Sequence, residues 1–174
     1  MGIFGSRLGS ATPNSEAPYF PTGLHFEQVV VEAVKWKEKE GKKGVFLWIV
    51  KGRVEACAAK PTLVGQTFCW IQKVDTNDEF QRALADGAIK GFMFAVLGSE
   101  PGDDAGLRGK LAMPETTTVE AWGTILDGLS EQFVAKSNPM RGRPVALTTC
   151  DKATKKGGVI TIHDWRPCRL AAAS

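Results

Sequence analysis

The residues of this chain best placed to do chemistry are lysines in two glycine-containing loops. Lys37, Lys39, Lys42 and Lys43 stand in KEKEGKKG, and Lys152, Lys155 and Lys156 in DKATKKGG. An ammonium is a compact charge on a flexible stem with three donors, suited to a phosphate at variable reach. Arg141 and Arg143 precede the second loop, in NPMRGRP. Their guanidinium forks match phosphate oxygens two at a time. Lys35, Lys51, Arg53 and Lys73 add cations on the strand-like runs. Rings are interleaved with them: Trp36 and Trp165 lie beside the two loops in sequence, and Phe68 and Trp70 alternate on a third run. Cations for phosphates and rings for bases are what a single-stranded nucleic acid requires, at roughly 1–3 kcal/mol per stacked base.

The charge distribution agrees. The net charge of +3 is an average over unlike segments. Residues 24–74 hold nine Lys/Arg and five Asp/Glu, residues 75–131 four and eleven, and residues 138–170 seven and two. Two basic segments therefore flank an acidic one, and packing them side by side would give one positive face.

Other chemistries lack their residues. His25 and His163 are the only histidines, and the cysteines at 57, 69, 150 and 168 form no C-x-x-C pair, so zinc spacing is absent. Cys69 and Cys150 fall in apolar runs and are expected to be buried free thiols. No Walker or G-x-G-x-x-G phosphate loop occurs. Glu40-Gly41-Lys42 echoes the E-x-K piece of metal-dependent nucleases, but it falls in a turn without a suitably placed Asp. The reading is therefore non-catalytic, with no cofactor and no metal. No apolar run approaches the roughly 18 residues that cross a bilayer, and no secretory signal is visible, so a cytoplasmic location without a membrane is expected.

The elements that would position these groups follow from period and punctuation. Residues 1–23 are rich in Gly, Ser, Pro and Asn and read as a flexible tail, with Tyr19-Phe20 as an anchor at its end. Residues 24–37, 45–57 and 63–74 read as three strands in a meander. The consecutive Val29, Val30 and Val31 call for a bulge, and Gly52 for a bend in mid-strand. Parity puts Trp48 in the core and Lys51 and Arg53 outside. Gln72 marks the Phe68/Trp70 face as the wetter one. Asp75 to Asn77 are expected to cap a helix, with Asp75 or Thr76 as its cap, and Gly87 and Gly91 interrupt its pattern, so two short helices are expected. An irregular loop over 99–116 precedes a second helical region over 117–135, with Val119, Trp122, Ile125, Leu126, Leu129 and Phe133 on one core-facing stripe. Strands near 144–150 and 158–165 close the chain, and residues 171–174 form a short tail.

The order β-β-β-α-α-β-β gives a mainly β domain over residues 24–170. It matches a five-stranded OB-fold-like barrel with a helical insertion, whose oligonucleotide face lies on strands 2 and 3 beside the strand 1–2 and strand 4–5 loops. Those are the two lysine loops.

The segment N-P-M-R-G-R-P-V, then T-K-K-G and W-R-P, resembles the closing part of small phage-encoded single-stranded DNA-binding proteins. The V-G-Q-T-F-C-W run and the D-E-F helix start at Asp78 extend the likeness over residues 24–167. The resemblance implies an OB-like core that coats and protects single-stranded DNA in phage replication or recombination, in the host cytoplasm. RNA and self-association are left open. Many such proteins end in an acidic recruiting tail. This chain ends WRPCRLAAAS, so recruitment by that route is not expected. The alternative is an OB-like protein–protein module in a phage accessory or structural protein.

Overall fold

The computed structural model describes residues 17–100, 102–111 and 119–169. The sequence-defined tails over 1–16 and 171–174, and the loop over 112–116, lie outside the described residues. Five strands are β1 (His25–Glu38), β2 (Val45–Ala56), β3 (Thr67–Asp75), β4 (Pro144–Ala153) and β5 (Val159–Pro167). Three helices are α1 (Glu79–Leu97), α2 (Asp104–Leu111) and α3 (Val119–Val134). The strands form one antiparallel sheet in the order β3-β2-β1-β4-β5, and the helices lie between β3 and β4 in the chain.

The expected bulge is in β1. Its register against β2 shifts between Gln28 and Val29 and again between Val31 and Ala33. Val29 and Val31 point into the core, the bulge absorbs Glu32, and Val34 is the next inward residue. One extra residue thus switches the buried parity from odd to even and bends the strand. Gly52 answers that bend from β2. It pairs with Val31, and a Cβ there would be driven into Val29 Cγ1 and against the Phe20 ring. Gly52→Ala should therefore cost about 1–3 kcal/mol, the usual range for overpacking a core. A urea midpoint unchanged from wild type would show that β1 can yield there.

Three sequence boundaries move. The third strand starts at Thr67, because Pro61 opens a 3-10 turn over Pro61–Leu63 and Gly65 (φ +85°) reverses the chain after it. The first helix is continuous over 19 residues, since Gly87 and Gly91 sit on its open side while Ala85, Ile89, Phe92, Met93 and Val96 anchor the other. Asp78 caps it by accepting from Gln81 N. Asp104–Leu111 is helical within the segment expected to be irregular. In the second helical region Trp122, Leu126, Leu129 and Phe133 are buried as expected, while the side chain of Val119 lies outside the described residues.

The tail boundary at residue 23 is too late. Cys69 N donates to Pro18 O and Phe20 N to Cys69 O, so Pro18–Phe20 runs beside β3. Gly23 N then donates to Thr149 O on β4, and Thr149 Oγ1 donates to Pro21 O. This segment crosses from one edge of the sheet to the other side of the domain.

The sheet is open: β3 and β5 are its edges and share no ladder. An aromatic cluster fills the seam between them. Trp70 on β3 lies 5.5 Å, centroid to centroid, from Trp165 on β5, and 5.7 Å from Phe92 on α1. Phe20 packs edge-on to Trp165 at 5.9 Å, and His163 lies 6.0 Å from Trp70. Burial pushes the His163 imidazole below its ordinary pKa, opposed only in part by the hydrogen bond its ring donates to the backbone of Thr161. The unfolded chain therefore takes up this proton first as pH falls below about 6.5. Folding stability is expected to decline from that point downward, and His163→Gln should flatten the slope. Urea midpoints between pH 7.5 and 5.5 check this, and parallel slopes for the two proteins would refute it.

Candidate nucleic-acid interface

Strands β1, β2 and β3 present one outward face. Alternation along β2 sends Trp48, Val50 and Val54 inward and puts Leu47, Ile49, Lys51 and Arg53 on the opposite parity, where Ile49 is itself buried at 3% exposure. Register then lines up three cross-strand rows. Lys37, Leu47 and Lys73 form the first, Lys35, Ile49 and Ile71 the second, and Ala33, Lys51 and Cys69 the third. Four ammonium groups thus surround two half-buried aliphatic side chains, Leu47 and Ile71, with the buried Ile49 between them. This is the arrangement in which phosphates meet the charged border while sugars and base edges meet the apolar centre.

The face continues toward the end of α3. A cleft of about 470 Å³ lies between them, lined among others by Lys35, Ile49, Lys51, Val134, Lys136 and Arg141. Arg141 Nη1 donates to Phe133 O at 3.2 Å, and its guanidinium sits 5.7 Å from the Phe133 ring centroid. Cations at a helix C-terminus complement the partial negative charge of its free carbonyls. The turn that places Arg141 is built by Asn138. Its Nδ2 donates to Leu129 O and its Oδ1 accepts from Met140 N at 2.8 Å. Gly142 N and Val31 O then join the turn to the β1 bulge at 2.9 Å.

The structure brings Lys35, Lys37, Lys51, Lys73 and Arg141 of the sequence-derived set together on or beside this face. Arg143 is exposed at the end of the same turn, just before β4, and its carbonyl accepts from Val31 N. Arg53 is spent locally: the bulge carries Glu32 to 2.8 Å from its Nη1, and Glu55 bonds its Nε. These two carboxylates raise its pKa and neutralise its charge toward a phosphate. Lys73 has Asp75 at 3.8 Å, a loose exposed pair of little energetic weight.

The stacking residues are corrected. Phe68, Trp70 and Trp165 are all in the core, at 4%, 4% and 7% exposure. Phe68, Cys69 and Trp70 are buried in succession because Pro18–Phe20 covers the edge of β3 while the inward parity meets α1 and Phe20. Trp36 is half-buried, on the inward parity of β1, stacked parallel on Phe46 at 4.9 Å. It borders a separate cleft of about 630 Å³ with Arg82, Asp86, Trp122 and Asp127. There Asp86 accepts from Trp122 Nε1 at 2.9 Å, and burial raises its carboxyl pKa. Trp36 therefore does not share the lysine-bordered face.

The two lysine loops are not neighbours. Lys39, Lys42 and Lys43 follow the last residue of β1, where Thr76 and Asn77 hold the loop through Gly44 O and Lys43 O. Lys152, Lys155 and Lys156 lie beyond the first residue of β1, since pairing of β4 with β1 ends at His25 and Thr148. About 40 Å of strand separates them at roughly 3.3 Å per residue. Cys150 is accordingly exposed, not buried, because no strand covers β4 there.

Sequence reasoning missed Leu47, Ile49, Ile71 and Lys136. Strand parity could have found the first three, as residues alternating with Trp48 and Trp70. Lys136 follows a helix and takes a left-handed conformation (φ 64°), a C-terminal position that favours neither Lys nor any particular charge. Among the described residues no group of three or more His, Cys, Asp or Glu could hold a metal ion, and no helix is long and apolar enough to cross a membrane. Compared with known proteins, the chain matches no family model and no curated protein sequence.

Proposed function

We propose that this protein binds single-stranded DNA through the outer face of β1, β2 and β3, and coats it without catalysis. The architecture is taken as an OB-like barrel whose β3–β5 seam is closed by side chains. The observation that carries the reading is the border of Lys35, Lys37, Lys51 and Lys73 around the half-buried Leu47 and Ile71, extended by Lys136 and Arg141. The expected resemblance to phage single-stranded DNA-binding proteins, with its role in replication or recombination, supports the same reading.

Burial of the rings changes the mechanism. Affinity rests on phosphate neutralisation and aliphatic contact rather than on indole stacking. With about four phosphates neutralised, log K should fall with log salt at a slope near −3 for a single strand. Anisotropy of a labelled thymidine oligomer of about 30 nucleotides, long enough to span one or more sites, measures it. Tryptophan emission should change little in the same titration. A flat salt response, or strong indole quenching with little salt dependence, would count against this mechanism.

A further inference from the structure

We infer that the β4–β5 hairpin is an assembly arm that docks on the start of α1 in a second copy of this chain, so that copies add head to tail. Beyond Thr148 the hairpin has no neighbouring strand, and from Cys150 to Ile162 nearly every residue is exposed. Its tip is ordered: Thr154 N donates to Gly158 O at 2.8 Å, and Gly157 N to Thr154 O at 3.0 Å. Ile160 and Ile162, at 49% and 36% exposure, share one side with Lys152 and Cys150, and Val159 stands at 67% on the other. An exposed ribbon of β-branched residues is an association surface unless something covers it.

The matching surface is at the other end of the molecule. Phe80 and Leu84, one turn apart on α1, are 70% and 57% exposed. The buried stripe of α1 runs through Ala85, Ile89, Phe92 and Met93, so the core does not use them. The charges are complementary. The arm carries Lys152, Lys155 and Lys156 against Asp151, and α1 is entered through Asp75, Asp78 and Glu79 before the first cation, Arg82.

Position makes any contact of the arm with α1 one between two copies, and the charge match favours it. β3 ends at Asp75, paired with Val45 at the β1–β2 loop, so α1 begins at that end. The arm leaves from the opposite end, past His25. One chain cannot bring its own arm to its own Phe80. A contact between two different patches of one molecule is heterologous, and it extends into open chains unless rotation closes a ring.

The test is sedimentation velocity of the full chain without nucleic acid, up to roughly 1 mM, where even weak contacts register. The wild type should grow beyond a dimer with concentration. Ile160→Asp and Phe80→Lys, both on exposed side chains and checked by their melting curves, should each weaken association at least about tenfold. An equimolar mixture of the two should stop at a dimer, because each retains one intact patch. A wild type that stays monomeric, variants that associate as it does, or a mixture that stays monomeric would each overturn the inference. If the wild type is monomeric and Ile160→Asp instead weakens oligonucleotide binding, the arm belongs to the nucleic-acid surface. Because self-association is read without nucleic acid, its failure leaves the reading of the lysine-bordered face intact.

Discussion

Trp70→Ala is expected to lower folding stability by about 3–5 kcal/mol, the range for truncating a large buried ring. That is a large share of the ~5–15 kcal/mol available to a domain of this kind. The reason is position. Trp70 stands on an edge strand that shares no ladder with β5 across the seam, and its ring meets Trp165, Phe92 and His163 there. Side chains do at this seam much of what a ladder would do in a closed barrel, with only the short Pro18–Phe20 segment hydrogen-bonded to the β3 edge beside it. Chemical denaturation with a far-ultraviolet signal measures the loss. Trp70→Phe should retain most of the packing. A Trp70→Ala protein as stable as wild type, with weakened oligonucleotide binding, would restore Trp70 as a stacking group and remove it from the core.

Removing two lysines from the outer face should weaken oligonucleotide binding, with melting curves recorded beside it to separate any loss of stability. With about four phosphate contacts at ~0.7 each, Lys35→Ala combined with Lys51→Ala should halve the salt slope, from near −3 to near −1.4. At about 0.1 M salt each contact is worth a factor of about 5, so affinity should fall roughly 25-fold. Lys60→Ala, on the exposed turn before Pro61, should leave both quantities unchanged. The check is anisotropy at four or five salt concentrations. An affinity loss with an unaltered slope would mean that the two lysines act through packing rather than charge.

The local features of this fold were legible because local rules produce them. The run of Val29, Val30 and Val31 announced a bulge, which is in place, and Gly52 marked an irregular point of β2, where it lies tight against Val29; the helix cap, expected within Asp75–Asn77, falls at Asp78. The helical stripe through Trp122, Leu126, Leu129 and Phe133 is buried as its spacing requires. What the pattern could not carry was long-range. Gln72 suggested a wet face for Phe68 and Trp70, but residues fifty positions earlier cover the β3 edge, and no periodicity within β3 reports them. Arg53 read as an outward cation, which it is, yet the bulge that swings Glu32 beside it was not visible in spacing. The two lysine loops read as partners in one groove because connectivity alone does not say where a long strand ends. The register of His25 with Thr148 places them at opposite ends of β1. Cation types and outward parity were thus read from the chain, while partners and distances depended on the packing of segments far apart in sequence.

The most direct test is to map amide chemical shifts of the isotopically labelled protein as a short thymidine oligomer is added. Shifts concentrated at Lys35, Leu47, Ile49, Lys51, Ile71 and Lys73, with Lys136 and Arg141 beside them and the buried indoles of Trp48, Trp70 and Trp165 unmoved, are the predicted result. Shifts confined to the cleft around Trp36 and Trp122, or no shifts at low salt, would contradict the assignment of the lysine-bordered face as the nucleic-acid surface.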